Sequence, residues 1–203
     1  AQLAAAFEKL WQGPLEGVVV TRYGFGCPTT KIKVIEASHP VPDEAGLHAS
    51  HALFDAVKNL NQDDLVVALI SGGGSALLPM PADTLTLQDE IDLNKALLAS
   101  GAPISVMNAI RKQISEIKGG RLALACHPAR VVSLIVSDIP GDEAADVASG
   151  PTVPSAVSRA EARALIEAWR IDLPQRIADF LKSDDNLPPS PDDARFHNHT
   201  VRI

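Results

Sequence analysis

Apolar residues fall along this chain in two rhythms. Segments 17–22 (GVVVTR) and 31–36 (KIKVIE) are short and β-branched, which predicts two strands joined by the loop YGFGCPTT. Segments 65–70 (LVVALI) and 130–138 (RVVSLIVSD) are apolar for most of their length, as in strands buried on both faces. Elsewhere apolar positions return every three or four residues, and helices are predicted there. Leu3, Phe7, Leu10 and Trp11 share one face of a first helix, and Asp43 caps a second that runs to Leu60. Thr86 and Asp89 form a capping pair for a third, closed by Gly101. Pro103 opens a fourth, through ISVMNAIRKQISEIKGG, while SRAEARALIEAWR and LPQRIADFLKS predict two more.

Strand, helix and strand over 31–70 form a βαβ unit with a right-handed crossover. The repeated order predicts an α/β fold, a largely parallel sheet covered by helices, over residues 1–182. The Pro- and Asp-rich SDDNLPPSPDDAR (183–195) predicts an exposed connector, and 183–203 closes on a strand-like alternation, HNHTVRI. No capping residue precedes the first helix, and that final alternation stops abruptly, so more chain is expected on both sides.

Composition narrows the partners. The chain has 203 residues, 46% hydrophobic, enough for one sizeable core. A formal net charge of −7 argues against nucleic acid, whose phosphates demand clustered Lys and Arg, while leaving room for a local anion site. No apolar run approaches the roughly 18 residues of a membrane span. Cys27 and Cys126 sit in no metal or redox spacing and read as free thiols of a reducing, cytoplasmic compartment. The oligomeric state is not written in any motif; a homodimer is compatible with the sequence.

In parallel sheets, ligands bind outside the carboxyl ends of the strands, which directs attention to the loops there. LISGGGSALLPMP places Ser71, Gly72, Gly73, Gly74 and Ser75 after a predicted strand. Three glycines make either a tight turn or a loop whose N–H groups meet an anion at a helix start, with the serines adding hydroxyl donors. The segment matches neither the P-loop nor the dinucleotide fingerprint. In NAIRKQISEIKGGRLA, Arg111 and Lys118 lie two helical turns apart with Ile114 between them, a cation pair for a ligand or a solvated basic face. SDIPGDEAADVASGPT puts Asp138 at a strand tip and Asp142 just beyond, suited to Mg²⁺ or a substrate hydroxyl, with helix capping by Asp142 as the plainer reading. EASHPVPDEAG adds His39, which is either structural or at the same rim. Four loops converging on one edge point to an enzyme.

In this order and spacing, from about Gly17 to Pro154, the four segments resemble the class II glycerate 2-kinase family. Its members carry a C-terminal MOFRL domain and are often named hydroxypyruvate reductases, from their place in tartrate metabolism. The resemblance implies a three-layer Rossmann-like domain with a mostly parallel sheet and helices on both faces. It also implies transfer of the γ-phosphoryl group of ATP, with Mg²⁺, to the 2-hydroxyl of D-glycerate. On that reading Ser71, Gly72, Gly73, Gly74, Ser75 and His39 hold phosphate or substrate. Lys118, Arg111 and Asp138 are the catalytic candidates, and Asp138 and Asp142 organise the metal. The family's lysine, in a GKA-type turn, would lie upstream of Ala1, and the MOFRL domain downstream of Ile203, so this stretch alone is expected to be inactive. Gln113 stands where the family usually has His, and Pro140 where it has an apolar residue. One alternative is an NAD(P)H-dependent hydroxypyruvate reductase, although no G-x-G-x-x-G follows a predicted strand. A ligand-binding module without turnover is the other.

Overall fold

A computed structural model describes residues 1–203. α1 (Gln2–Leu10) leads into β1 (Gly17–Arg22), and the chain then returns directly to β2 (Ile32–Ala37), parallel to β1 with Gly17 opposite Ile32. Parallel neighbours usually need a helical crossover. Here the return is pinned by Glu8 of α1, whose carboxylate accepts from the backbone N–H groups of Thr30, Lys31 and Ile32 at 2.7–3.0 Å. Those donors, with the Thr30 hydroxyl, hold the Glu8 pKa down at about 2.

α2 (Glu44–Ala56) packs on β1 and β2, with the Asp43 carboxylate accepting from Gly46 N–H at 3.0 Å. It stops at Ala56 rather than Leu60, because the chain turns at Asn59, whose φ is 61°. β3 (Leu65–Ser71) and the single turn α3 (Gly74–Leu77) follow, then α4 (Leu87–Ala99) behind the expected Thr86–Asp89 capping box. α5 (Ile104–Arg111) runs into a 3₁₀ turn at Lys112–Ile114. α6 (Arg121–Ala125), β4 (Arg130–Val136), a 3₁₀ turn at Val147–Ser149, α7 (Arg159–Ala168), α8 (Gln175–Phe180), a 3₁₀ turn at Ala194–Phe196 and β5 (His199–Arg202) complete the order.

The fourth expected helix ends early for a tertiary reason. Ser115 is extended and bridges to Pro81, while Ala82 N–H donates to Ile114 O and Glu116 N–H to Met80 O. That pairing overrides helical propensity beyond Arg111. Arg111 and Lys118 therefore do not share a helix face.

Every strand pairing is parallel, as the α/β reading requires. β3, β4 and β5 form one sheet with β4 central, β1 and β2 a second. β1 and β3 are not hydrogen-bonded to each other. β5 lies beyond residue 182 yet is an edge strand of the larger sheet, so 183–203 packs into the same α/β unit. Arg159, 3% exposed, secures that stretch by donating to the carbonyls of Ser183, Asp185, Asn186 and Gln113. The largest core lies between helices: Leu93, Leu97, Ile110, Ile114, Ile177 and Leu181 from α4, α5, α8 and their flanks. Burying each such side chain contributes about 1.5–3 kcal/mol. A smaller cluster, Ile70, Ile135, Val147 and Ala148, seats the loop after β4 against the sheet.

Candidate functional site

β3 delivers its glycines to the carboxyl rim. Gly73 adopts φ +83°, a left-handed turn that tips the chain into α3. The N–H groups of Gly72 and Gly73 find no acceptor within the chain. Because α3 is only one turn long, its dipole adds little, and attraction for an anion rests on these N–H groups themselves.

Two side chains from other strands close on the loop. A Cβ on Gly72 would lie 1.7 Å from Asp138 Oδ2, so the carboxylate at the tip of β4 rests against the turn. A Cβ on Gly73 would lie 3.4 Å from His39 Nε2, which comes from the end of β2. Asp138 and His39 are both exposed. Both line a 1120 Å³ cavity, together with Ser71, Gly72, Gly73 and Gly74. No three His, Cys, Asp or Glu side chains converge to make a self-contained metal site. Mg²⁺ does not require one, since it is commonly held by one or two carboxylates plus substrate phosphates. Asp138, beside two free N–H donors, suits that arrangement.

Behind the loop runs a polar chain that the sequence reading did not single out. A Cβ on Gly74 would meet Ala148 Cβ at 2.5 Å. Ala148, Ser149 and Gly150 all have positive φ, 54°, 62° and 58°. Left-handed backbone costs about 1–2 kcal/mol at each non-glycine residue, and here it turns Ser149 toward Ser75, Oγ to Oγ 2.7 Å. Ser149 Oγ donates to Asn108 Oδ1 at 3.1 Å, and Asn108 Nδ2 donates to Asp146 O at 3.0 Å, which fixes the amide's orientation. Arg111 Nη1 also donates to Asn108 Oδ1, and Arg111 Nε to Asn94 Oδ1 at 2.7 Å.

Proton directions follow from this. Asn108 Oδ1 can only accept, so the Ser149 proton goes to it, and the Ser149–Ser75 bond must use the Ser75 proton. Ser75 thus spends its hydroxyl proton on Ser149 behind the loop, where the sequence reading had it as a donor to a ligand.

The cations lie further back. Arg111 is half-buried behind the polar chain; burial lowers its pKa, against a raising effect of the Glu90 charge. Lys118, 1% exposed, places Nζ 2.6 Å from Glu90 Oε1 and 2.8 Å from Leu78 O. Glu90 Oε2 accepts from Met80 N–H, so the pair braces the segment following α3. The structure therefore gives Lys118 a buried partner rather than a face on the rim, because the chain leaves the helix before Ser115. Lys112 is paired in a similar way with Asp146, at 3.0 Å. Asp142 sits at the tip of an exposed turn with φ 51°. Gln113 is fully buried, donating to Val157 O and accepting from Arg159, while Pro140 is exposed.

The fold thus gathers Gly72, Gly73, Gly74, Ser75, His39 and Asp138, links Arg111 to them through Ser149 and Asn108, and leaves Lys118 apart. Residues 1–182 match the family described as domain of unknown function DUF4147. The chain belongs to that family. Among its curated relatives is a protein of Agrobacterium vitis named "Putative hydroxypyruvate reductase", 54% identical over 182 residues, 89% of this chain and 47% of the relative. The D-glycerate 2-kinase of Thermotoga maritima is 39% identical over 174 residues, 85% of this chain and 42% of the enzyme. The crystal structure of a glycerate kinase from Thermotoga maritima superposes with a TM-score of 0.83 at 35% identity, covering 97% of this chain and 46% of that one. This DUF4147 chain thus spans less than half the length of the relatives it matches. No helix in it is long and apolar enough to cross a membrane.

Proposed function

We propose that this chain supplies the glycine-loop half of a glycerate kinase, which moves the γ-phosphoryl group of ATP to the 2-hydroxyl of D-glycerate. The observation that carries the reading is the rim itself: two unpaired loop N–H groups with a carboxylate and an imidazole against them. Phosphoryl transfer needs positioning and charge neutralisation more than covalent help from the protein. The glycerate 2-hydroxyl oxygen attacks the γ-phosphorus, a P–O bond forms, and the bond to the β–γ bridging oxygen breaks to release ADP. The N–H groups of Gly72 and Gly73 receive phosphoryl oxygens, and the hydroxyl proton leaves toward Asp138 or His39. Asp138, with Asp142 in the same loop, would hold Mg²⁺, and the ion would supply neutralisation of phosphate charge there. Arg111 holds the Asn108–Ser149–Ser75 chain, and through it the loop, in place.

The test is a coupled assay of the full-length protein with D-glycerate, ATP and Mg²⁺, with the product identified by ³¹P NMR. Formation of 2-phosphoglycerate supports the reading. NADH oxidation by hydroxypyruvate, without any phosphorylated product, overturns it.

A further inference from the structure

The loop that follows β1 carries more order than a connection between two strands needs. Phe25 N–H donates to Arg22 O at 3.1 Å across a tight turn, and Gly24 at its third position has φ +78°, as a type II turn requires. The turn brings Phe25 back to Arg22, whose guanidinium carbon stands 3.7 Å from the ring centroid. Two carboxylates brace the loop from outside. Glu36 Oε1 accepts from Gly26 N–H, and Asp43 Oδ2 accepts from the Tyr23 hydroxyl, each at 2.8 Å. Phe25 is nonetheless 53% exposed. Tyr23 and Val41 are exposed as well, and the Tyr23–Asp43 bond draws their two loops together. An aromatic ring held this firmly in water needs little further ordering when a ligand arrives.

Strand register sets its place on the rim. Arg22 is the partner of Ala37, and Tyr23 N–H donates to Ala37 O, so the loop stands beside the end of β2. From that same end His39 reaches Gly73. Arg22, Phe25, His39, Gly72, Gly73 and Asp138 line one cavity.

We propose that Phe25 is the base platform for the phosphoryl donor: the purine of a nucleoside triphosphate stacks on its ring while the phosphates lie on Gly72 and Gly73. The inference rests on the kinase reading above and extends it to the far end of the donor. Polarity argues for it. The free N–H groups of the glycine loop suit an anion, whereas an exposed ring backed by a guanidinium suits a flat π-system. A nucleotide has both kinds of end. Glycerate, small and polar throughout, has no flat face to offer the ring.

Titration calorimetry of the full-length protein with ADP and, separately, with pyrophosphate, each with Mg²⁺, tests this without requiring turnover. The wild type should bind ADP at least tenfold more tightly than pyrophosphate. Phe25→Ala should weaken ADP roughly ten- to a hundredfold, the usual loss of one stacked base, and leave pyrophosphate unchanged. Phe25→Trp should keep the ADP affinity. Equal losses for the two ligands overturn the platform. So does an unchanged ADP affinity with a lower melting temperature, which would show the ring packing against the rest of the full-length protein instead. If Phe25→Ala fails to fold, Phe25→Leu, which keeps apolar bulk without the flat ring, decides in the same way. A wild type that binds neither ligand overturns the kinase reading and this inference with it; one that binds pyrophosphate as tightly as ADP overturns the platform alone.

Discussion

Gly72→Ala would place a methyl group where the Asp138 carboxylate now rests: 1.7 Å from Oδ2, 2.2 Å from Cγ and 2.6 Å from Oδ1. Nothing in the backbone forbids the alanine, since Gly72 is not among the positive-φ glycines. At a compatible position, Gly to Ala stabilises by about 0.4–1 kcal/mol through the unfolded chain. Asp138 is exposed and can swing clear, at about 0.5–1.5 kcal/mol if driven off its rotamer. The two effects nearly cancel, so the melting temperature should move by only a few degrees. Activity should not survive so easily. If Asp138 works from its place against the loop, displacing it should lower kcat by about 10²–10³, the usual loss when one preorganised polar group leaves a transition state. The assay is glycerate-dependent ADP release by the full-length protein, run beside a thermal melt of the same preparation. Wild-type turnover in a variant that melts normally refutes the placement of Asp138. Gly73→Ala is the companion: at φ +83° it should cost about 1–2 kcal/mol of stability directly.

Three further outcomes are expected. Lys118→Met should destabilise by about 3–5 kcal/mol, because Glu90 is left charged and buried, and Glu90→Leu in the same chain should restore most of the loss; equal melting of the single and double variants refutes the pairing. Glu8 has its pKa lowered from 4.5 to about 2 by its hold on the loop before β2, so the stability it contributes is present above the ordinary value and lost as pH falls toward 2. Acid unfolding followed from pH 4.5 downward should therefore be shallower in Glu8→Gln than in the wild type. The Cys126 thiol, buried and pushed up to about 11, should resist alkylation at neutral pH until the protein unfolds, and rapid labelling of the native chain would contradict its placement.

Much of the fold was legible because its signals are local. Asp43, Thr86 and Ser158 each cap the helix that follows, and each does so with side-chain atoms within three residues of its partner. The apolar runs of β3 and β4 could be read as strands for the same reason. What escaped was set by contacts distant in sequence. Ser115 leaves the helix because Pro81 pairs with it, and no residue near 115 announces that. Lys118 looked like a ligand residue because its partner Glu90 lies far upstream. The rim loops at 39, 72–75 and 138 were found together because parallel topology sends their strands to one edge. The polar chain behind them was not, since Asn94, Asn108 and Ser149 carry no motif. An asparagine among the buried apolar positions of α5 is its one visible trace.

The direction of the Ser75 proton gives this turn two unlike ends. At Gly72 and Gly73 the loop offers backbone hydrogens; at Ser75, two residues after Gly73, the hydroxyl has its proton committed to Ser149 and keeps only lone pairs. The two kinds of group are complementary: the N–H groups can only donate, whereas the Ser75 hydroxyl, its proton committed, can only accept a further hydrogen bond. That hydroxyl's orientation is set by an asparagine thirty-three positions further along the chain (75 to 108).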